Sequence, residues 1–177
     1  MPNKLEFPVA IAELEPGTAD IFEIAKNGAR TVFERFGEVR AVALILGHTN
    51  GHDILFKLDG EFTGDTYDAV CDVKEAFAQF IGHVAVTTKA SQLAFVSEIW
   101  FASPEQAEGH DSIEKAQGRK EGIYITFEKA GLQPTGLIAE IKTAENGMRT
   151  LGAWDNLSSN IQGRFVHLLR QPAKGDA

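Results

Sequence analysis

A chain of 177 residues with 44% apolar and 24% charged side chains is long enough for one domain with a sizeable core and short for two. Twenty-five acids against seventeen Lys and Arg give a formal charge of −8, a field that repels phosphate backbones and excludes nucleic-acid binding without a local basic patch. The nearest thing to such a patch, "EKAQGRKEG" at 114–122, has acids on both sides and reads as a solvated loop.

From the N-terminus, "MPNKLEFPVAIAELEPG" carries an apolar stretch that Pro8, Glu13 and Glu15 break well short of a signal core or a membrane span. One cysteine, Cys71, rules out an intrachain disulfide and fits a reducing cytoplasm, so the expectation is a cytoplasmic protein that makes no membrane contact. In "TADIFEIAKNGARTVFERFG", Ile21, Ala25, Gly28, Val32 and Phe36 recur every three or four positions, which predicts a helix over 18–36 capped by Thr18 and closed by Gly37. The β-branched and aliphatic run of "VRAVALILGHTNGHDILFKLDG" predicts two strands. A second helix over 66–81 follows from Val70, Val73, Phe77 and Ile81, with Asp65 as cap, Gly82 as terminator and Cys71 beside its apolar stripe as an inert, partly buried thiol.

Beyond Gly82 the signals turn to β. "HVAVTTKASQLAFVSEIWFAS" predicts a short strand, a turn at 89–92, and a long strand on which Leu93, Phe95, Ser97, Ile99 and Phe101 share the core face. Residues 102–121 are polar, without apolar period, and predict a mobile loop. Ile123, Ile125 and Phe127 alternate in the next strand, Asn146-Gly147 marks a hairpin between two more, and Phe165, His167 and Leu169 suggest a last one. The reading is a single α+β domain over 1–177, a mainly antiparallel sheet with two principal helices packed on one face.

Two places carry chemistry-bearing side chains. "LILGHTNGHDILF" holds His48, His52 and Asp53 around Asn50-Gly51, the strongest short hairpin signal, because both central residues of a type I′ turn need positive φ. Strand alternation then sends His48 and Asp53 to one face and His52 to the other, so no metal is expected there. Elsewhere Glu98 sits in mid-strand among Val96, Ile99 and Trp100, and burial would make it an acid or base. His83, just past Gly82, reads as a cation at a helix C-terminus. His110 falls in the polar loop. No phosphate loop, dinucleotide fingerprint, nucleophile elbow or cysteine pair is present, and no cofactor is implied.

The strand "FVSEIW", the charged loop after it and the strand "EGIYITFE" resemble segments of uncharacterised small bacterial and phage proteins over residues 94–128. That resemblance implies a protein of unknown function and brings no activity to Ser97, Glu98 or Trp100. Two functions stay open. One is a non-enzymatic binding or assembly protein, a homo-oligomer that covers an apolar face holding Val96, Trp100 and Tyr124 with a second subunit. The other is a small metal-assisted or acid–base hydrolase using Glu98 with His48 and Asp53.

Overall fold

The structure is a computed structural model that describes residues 6–15, 17, 20–109, 116–157 and 163–169. Along the chain lie β1 (Val9–Leu14), α1 (Ile21–Phe36), β2 (Ala41–Thr49), β3 (His52–Gly60), α2 (Tyr67–Thr87), β4 (Gln92–Phe101), α3 (Pro104–Ala107), β5 (Lys120–Lys129), β6 (Thr135–Thr143) and β7 (Arg149–Asn156). The strands form one sheet in the order β1-β3-β2-β4-β5-β6-β7, every adjacent pair antiparallel. This is the α+β class and antiparallel sheet that the sequence predicts.

The two helices, however, pack on opposite faces rather than on one. Ile21, Ala25, Ala29 and Phe33 of α1 bury against Leu44, Leu46, Ala94, Val96, Ile123 and Ile125, whereas Phe77, Ile81 and Ala85 of α2 bury against Ala43, Ile45, Leu58, Leu93 and Phe95. The topology explains the difference. β1 and β2 flank β3 and run parallel to each other, as β3 and β4 do around β2, so α1 and α2 are crossover connections between parallel strands. Such crossovers are right-handed. Both advance across the sheet in the same direction, but from strands that point opposite ways, so one hand requires opposite faces. As a result β4 has two buried faces, and the Val96 side expected to meet solvent or a subunit lies under α1.

Local chemistry sets the helix ends. Asp20 caps α1, accepting from the N–H groups of Phe22 (3.1 Å) and Glu23 (3.3 Å), and Gly37 closes it at φ 73°. Thr18, the expected cap, lies outside the described residues. Thr66 caps α2 in place of Asp65, and α2 runs through Gly82 to Thr87. The segment expected as a strand after Gly82 is therefore helical, and His83 stands inside the helix. Burial of Ala85 one turn beyond Ile81 outweighs the cost of about 1 kcal/mol for an internal glycine.

Between β4 and β5, Ser103 and Gln106 exchange side-chain bonds with each other's backbone N–H at 3.0 and 3.3 Å, a reciprocal cap that starts α3 in the segment read as loop. Residues 110–115, which include His110, lie outside the described residues.

The segment 163–169 is turns and bends, not the expected strand. Its amides bond to a side chain instead of a neighbouring strand: the buried carboxylate of Glu128 accepts from the N–H groups of Leu168 (3.0 Å) and Leu169 (2.7 Å). Phe165 stacks on Phe95 with ring centroids 4.0 Å apart and contacts Phe77 and Phe62, closing an aromatic cluster on the α2 side.

Gly60 fits under that cluster, since a Cβ there would stand 2.7 Å from the ring of Phe77, a fully buried side chain. Gly60→Ala is expected to destabilise the fold by about 1–3 kcal/mol, read as a lower denaturant midpoint with an unchanged slope.

Candidate functional site

Asn50 and Gly51 take φ of 53° and 81°, the pair of positive values that a type I′ turn demands. The register that follows pairs His48 with Asp53 and Thr49 with His52. His48 and Asp53 share the α1 side of the sheet, where Nδ1 of His48 lies 3.0 Å from the Asp53 carboxylate. A carboxylate only accepts, so Nδ1 carries the proton. His52, on the other face, pairs with Glu13 across the β1–β3 ladder at 2.7 Å. The imidazoles diverge as the hairpin predicts. Among the described residues no three His, Cys, Asp or Glu side chains converge as a cation site would require.

The hydrogen bond from His48 holds the Asp53 carboxyl below its ordinary 3.8, with the Gly17 N–H adding to it and burial working against it. Both side chains are otherwise at the surface. The pair fastens the hairpin tip.

Glu98 is committed elsewhere. Its Oε1 accepts the Val39 N–H at 2.7 Å and its Oε2 receives Nη2 of Arg149 at 3.1 Å. Arg149 also donates from Nη1 to the carbonyl of Gly37 at 2.6 Å, reaches Glu121 at 3.5 Å, and lies over the ring of Phe33. A cation against the terminal carbonyl of α1 answers both an orphan acceptor and the helix dipole. Glu98 and Arg149 thus lock the end of α1 to the sheet. In the register that pairs Val42 with Val96, Glu98 lies two residues beyond Val96 while His48 lies six beyond Val42 the other way. About eight strand residues separate them, roughly 26 Å. The structure does not bring Glu98 to His48 and Asp53.

Nor do the three binding candidates share a face. Val96 is buried under α1. Trp100, four residues on and partly exposed, carries the Arg119 guanidinium 4.5 Å above its ring. Tyr124 pairs with Ser97 on the α2 side, and burial pushes its hydroxyl up to about 12.

A feature absent from the sequence reading is a groove of about 500 Å³ beside α1. One wall is the outer flank of the helix at Ile24, Gly28, Val32 and Phe36, and the floor is Val42 and Leu44 of β2. Charged side chains stand only at its rim, where Lys57 and Asp59 pair at 3.3 Å beside Glu38 and Arg40. The broad apolar stripe on α1 was the available signal, being wider than one sheet contact consumes. Among the described residues no helix is long and apolar enough to cross a membrane. Comparison with protein-family models, with curated proteins and with solved structures finds no match.

Arg149→Leu is expected to cost about 2 kcal/mol, because Glu98 and the Gly37 carbonyl both lose a charged donor. A double-mutant cycle with Glu98→Gln should show strong coupling, whereas two independent surface charges would give additive losses. The Asp53 carboxyl resonance should titrate below 3.8 and move up towards it in His48→Ala. A depressed folded value stabilises the protein above the unfolded one and stops doing so as pH falls through the folded one. The variant should therefore be less stable than the parent at neutral pH, and the difference should vanish as pH falls through the folded value of the parent.

Proposed function

We propose that this chain is a non-enzymatic binding and assembly protein, in which the groove beside α1 takes the apolar body of a small anionic amphiphile and the chain works as a homo-oligomer. The groove carries the reading: its volume lies within the range of small-molecule sites, its walls are apolar, and polar groups are confined to the rim, as such sites require. Lys57 is neutralised by Asp59, which leaves Arg40 and Glu38 as the rim charges outside any ion pair among the described residues, Arg40 being the donor available to an acidic head group. An acidic head group at Arg40 with an acyl or aromatic body along Val32 and Val42 matches that distribution. The side chains that could run acid–base chemistry are held in structural pairs at opposite ends of the sheet, which favours binding over hydrolysis.

Gly28 gives a clean block, since a Cβ there meets nothing within 4 Å and the position lines the groove. Anilinonaphthalene sulfonate titrated into the protein and displaced by dodecanoate reads occupancy directly. Gly28→Leu should weaken both ligands at least tenfold while raising helix stability by roughly 0.5–1 kcal/mol. Equal binding by the parent and Gly28→Leu overturns the assignment of the groove. Light scattering at micromolar concentration should give a multiple of the 19.3 kDa chain, and a strict monomer overturns the assembly half.

A further inference from the structure

Strand β1 ends the sheet on one side, and its ladder with β3 fixes which of its backbone groups are spent. The Asp59 N–H bonds to the Pro8 carbonyl at 3.0 Å, and bonded pairs alternate along an antiparallel ladder. Ala10, Ala12 and Leu14 therefore turn their amides and carbonyls inward to Lys57, Leu55 and Asp53. Val9, Ile11 and Glu13 turn theirs outward. Among the described residues no strand pairs with that side. Proline, the usual obstacle on an edge, sits at position 8 on the inward set, where its missing N–H obstructs nothing outside.

Side chains reinforce the point. Val9 and Ile11 follow their partners Leu58 and Phe56 onto the α2 side of the sheet, yet they are 44% and 65% exposed. On the opposite side stand Ala10, Ala12 and, at the strand end, Leu14, which packs against the α1-side core. The other edge of the sheet is different: β7 carries a bulge between Leu151 and Trp154, opposite Ala139 and Ile141 of β6, and exposes Thr150, Asp155 and Asn156. Bulges and polar side chains block edge pairing, and β1 has no bulge and one charge.

We infer that β1 is a self-association edge that pairs antiparallel with β1 of a second copy, with Ile11 on the two-fold axis. This names the surface for the assembly half of the reading above and rests on it. A register centred on Ile11 sets Ile11 against Ile11, Val9 against Glu13 and Glu13 against Val9, so all three outward amides and all three outward carbonyls of each copy are used. Sliding by one pair leaves an outward residue unmatched. The same register keeps the two Glu13 carboxylates apart, each beside a valine and each paired within its own copy to His52. The exposed Ile11 side chains meet on the α2 side. The alanines face each other on the α1 side without obstruction. A partner strand of unrelated sequence would satisfy the backbone equally, but the match of three outward residues about a central isoleucine is a property of this strand with itself.

The test uses the full chain. Ile11 is exposed, so Ile11→Lys should keep the far-UV spectrum of the parent and a cooperative thermal transition while its dimer dissociation constant rises at least tenfold by analytical ultracentrifugation. In a Cys71→Ser background, Ile11→Cys should oxidise to a disulfide-linked dimer, since bonded antiparallel partners have Cα atoms about 5.5 Å apart, inside disulfide reach. Ala10→Cys, whose partner is Ala12, should cross-link at least tenfold more slowly. A strictly monomeric parent overturns assembly and edge together. A dimeric parent that Ile11→Lys leaves intact overturns the edge and keeps assembly, and preferential cross-linking at position 10 overturns the register and with it the inference.

Discussion

Seven strands about 4.8 Å apart make a sheet roughly 29 Å wide, and a helix with its side chains is about 10–12 Å across, so one helix per face leaves much of each face uncovered. The handedness of the two crossovers enforces that arrangement, because it prevents both helices from sharing a face. α1 crosses β4 and reaches β2, β5 and β7, which leaves the β2 and β3 side of its face as a groove. α2 lies over β2 and β3 on the other face. There the gap is filled in part by segment 163–169, held down by Glu128 and by the stacking of Phe165 on Phe95. The groove beside α1 follows from this shortage of helix.

The same shortage decides what the charged side chains do. A helix laid across a sheet at an angle ends where no strand can satisfy its last carbonyls, and Arg149 supplies the donor at the Gly37 carbonyl while Glu98 takes the Val39 amide that follows. Glu98 is therefore half-buried for a structural reason, with an arginine across it and two backbone groups around the pair. At the far end of β2, His48 and Asp53 hold the hairpin together beside the C-terminal end of α2, where the Thr88 carbonyl accepts the His48 N–H. Residue types that suggest catalysis thus serve joints of the fold. The groove beside α1 has mainly apolar walls.

How much of this was legible in the sequence depends on the range of the interaction concerned. Asn50-Gly51 was readable because the turn type constrains two adjacent residues, and everything in register with it, from His48 opposite Asp53 to Ile45 opposite Phe56, follows by counting. The periods of α1 and of the first four turns of α2 were readable for the same reason. Gly82 misled because its local cost is smaller than the burial of Ala85 one turn later, which belongs to tertiary packing. β1 was missed because its period of two is written as Val9 and Ile11 alternating with alanines, a residue with little strand preference. The faces of β4 could not be assigned from "LAFVSEIWF", since both sides are apolar and the choice is made by connections elsewhere in the chain. Glu98 and Arg149 are 51 residues apart, and nothing local announces the pair.

Edge and groove are neighbours in the sheet but open in different directions. The outward residues of β1 send their side chains to the α2 side, whereas the groove lies on the α1 side, so pairing two β1 strands buries Ile11 without covering Val42 or Gly28. In the Ile11-centred pair both α1 faces lie on the same side of a continuous sheet, and the strip between the two β3 strands is about three strand spacings, roughly 14 Å, floored by alanines at its centre and by Leu14 at each end. Each groove then opens towards its counterpart across a shallow apolar floor instead of towards the end of a sheet. Assembly at β1 and occupancy of the groove are thereby compatible in one particle, and neither removes the surface the other needs. The small side chains at positions 10 and 12 leave that floor low, and larger ones would raise a wall between the two grooves.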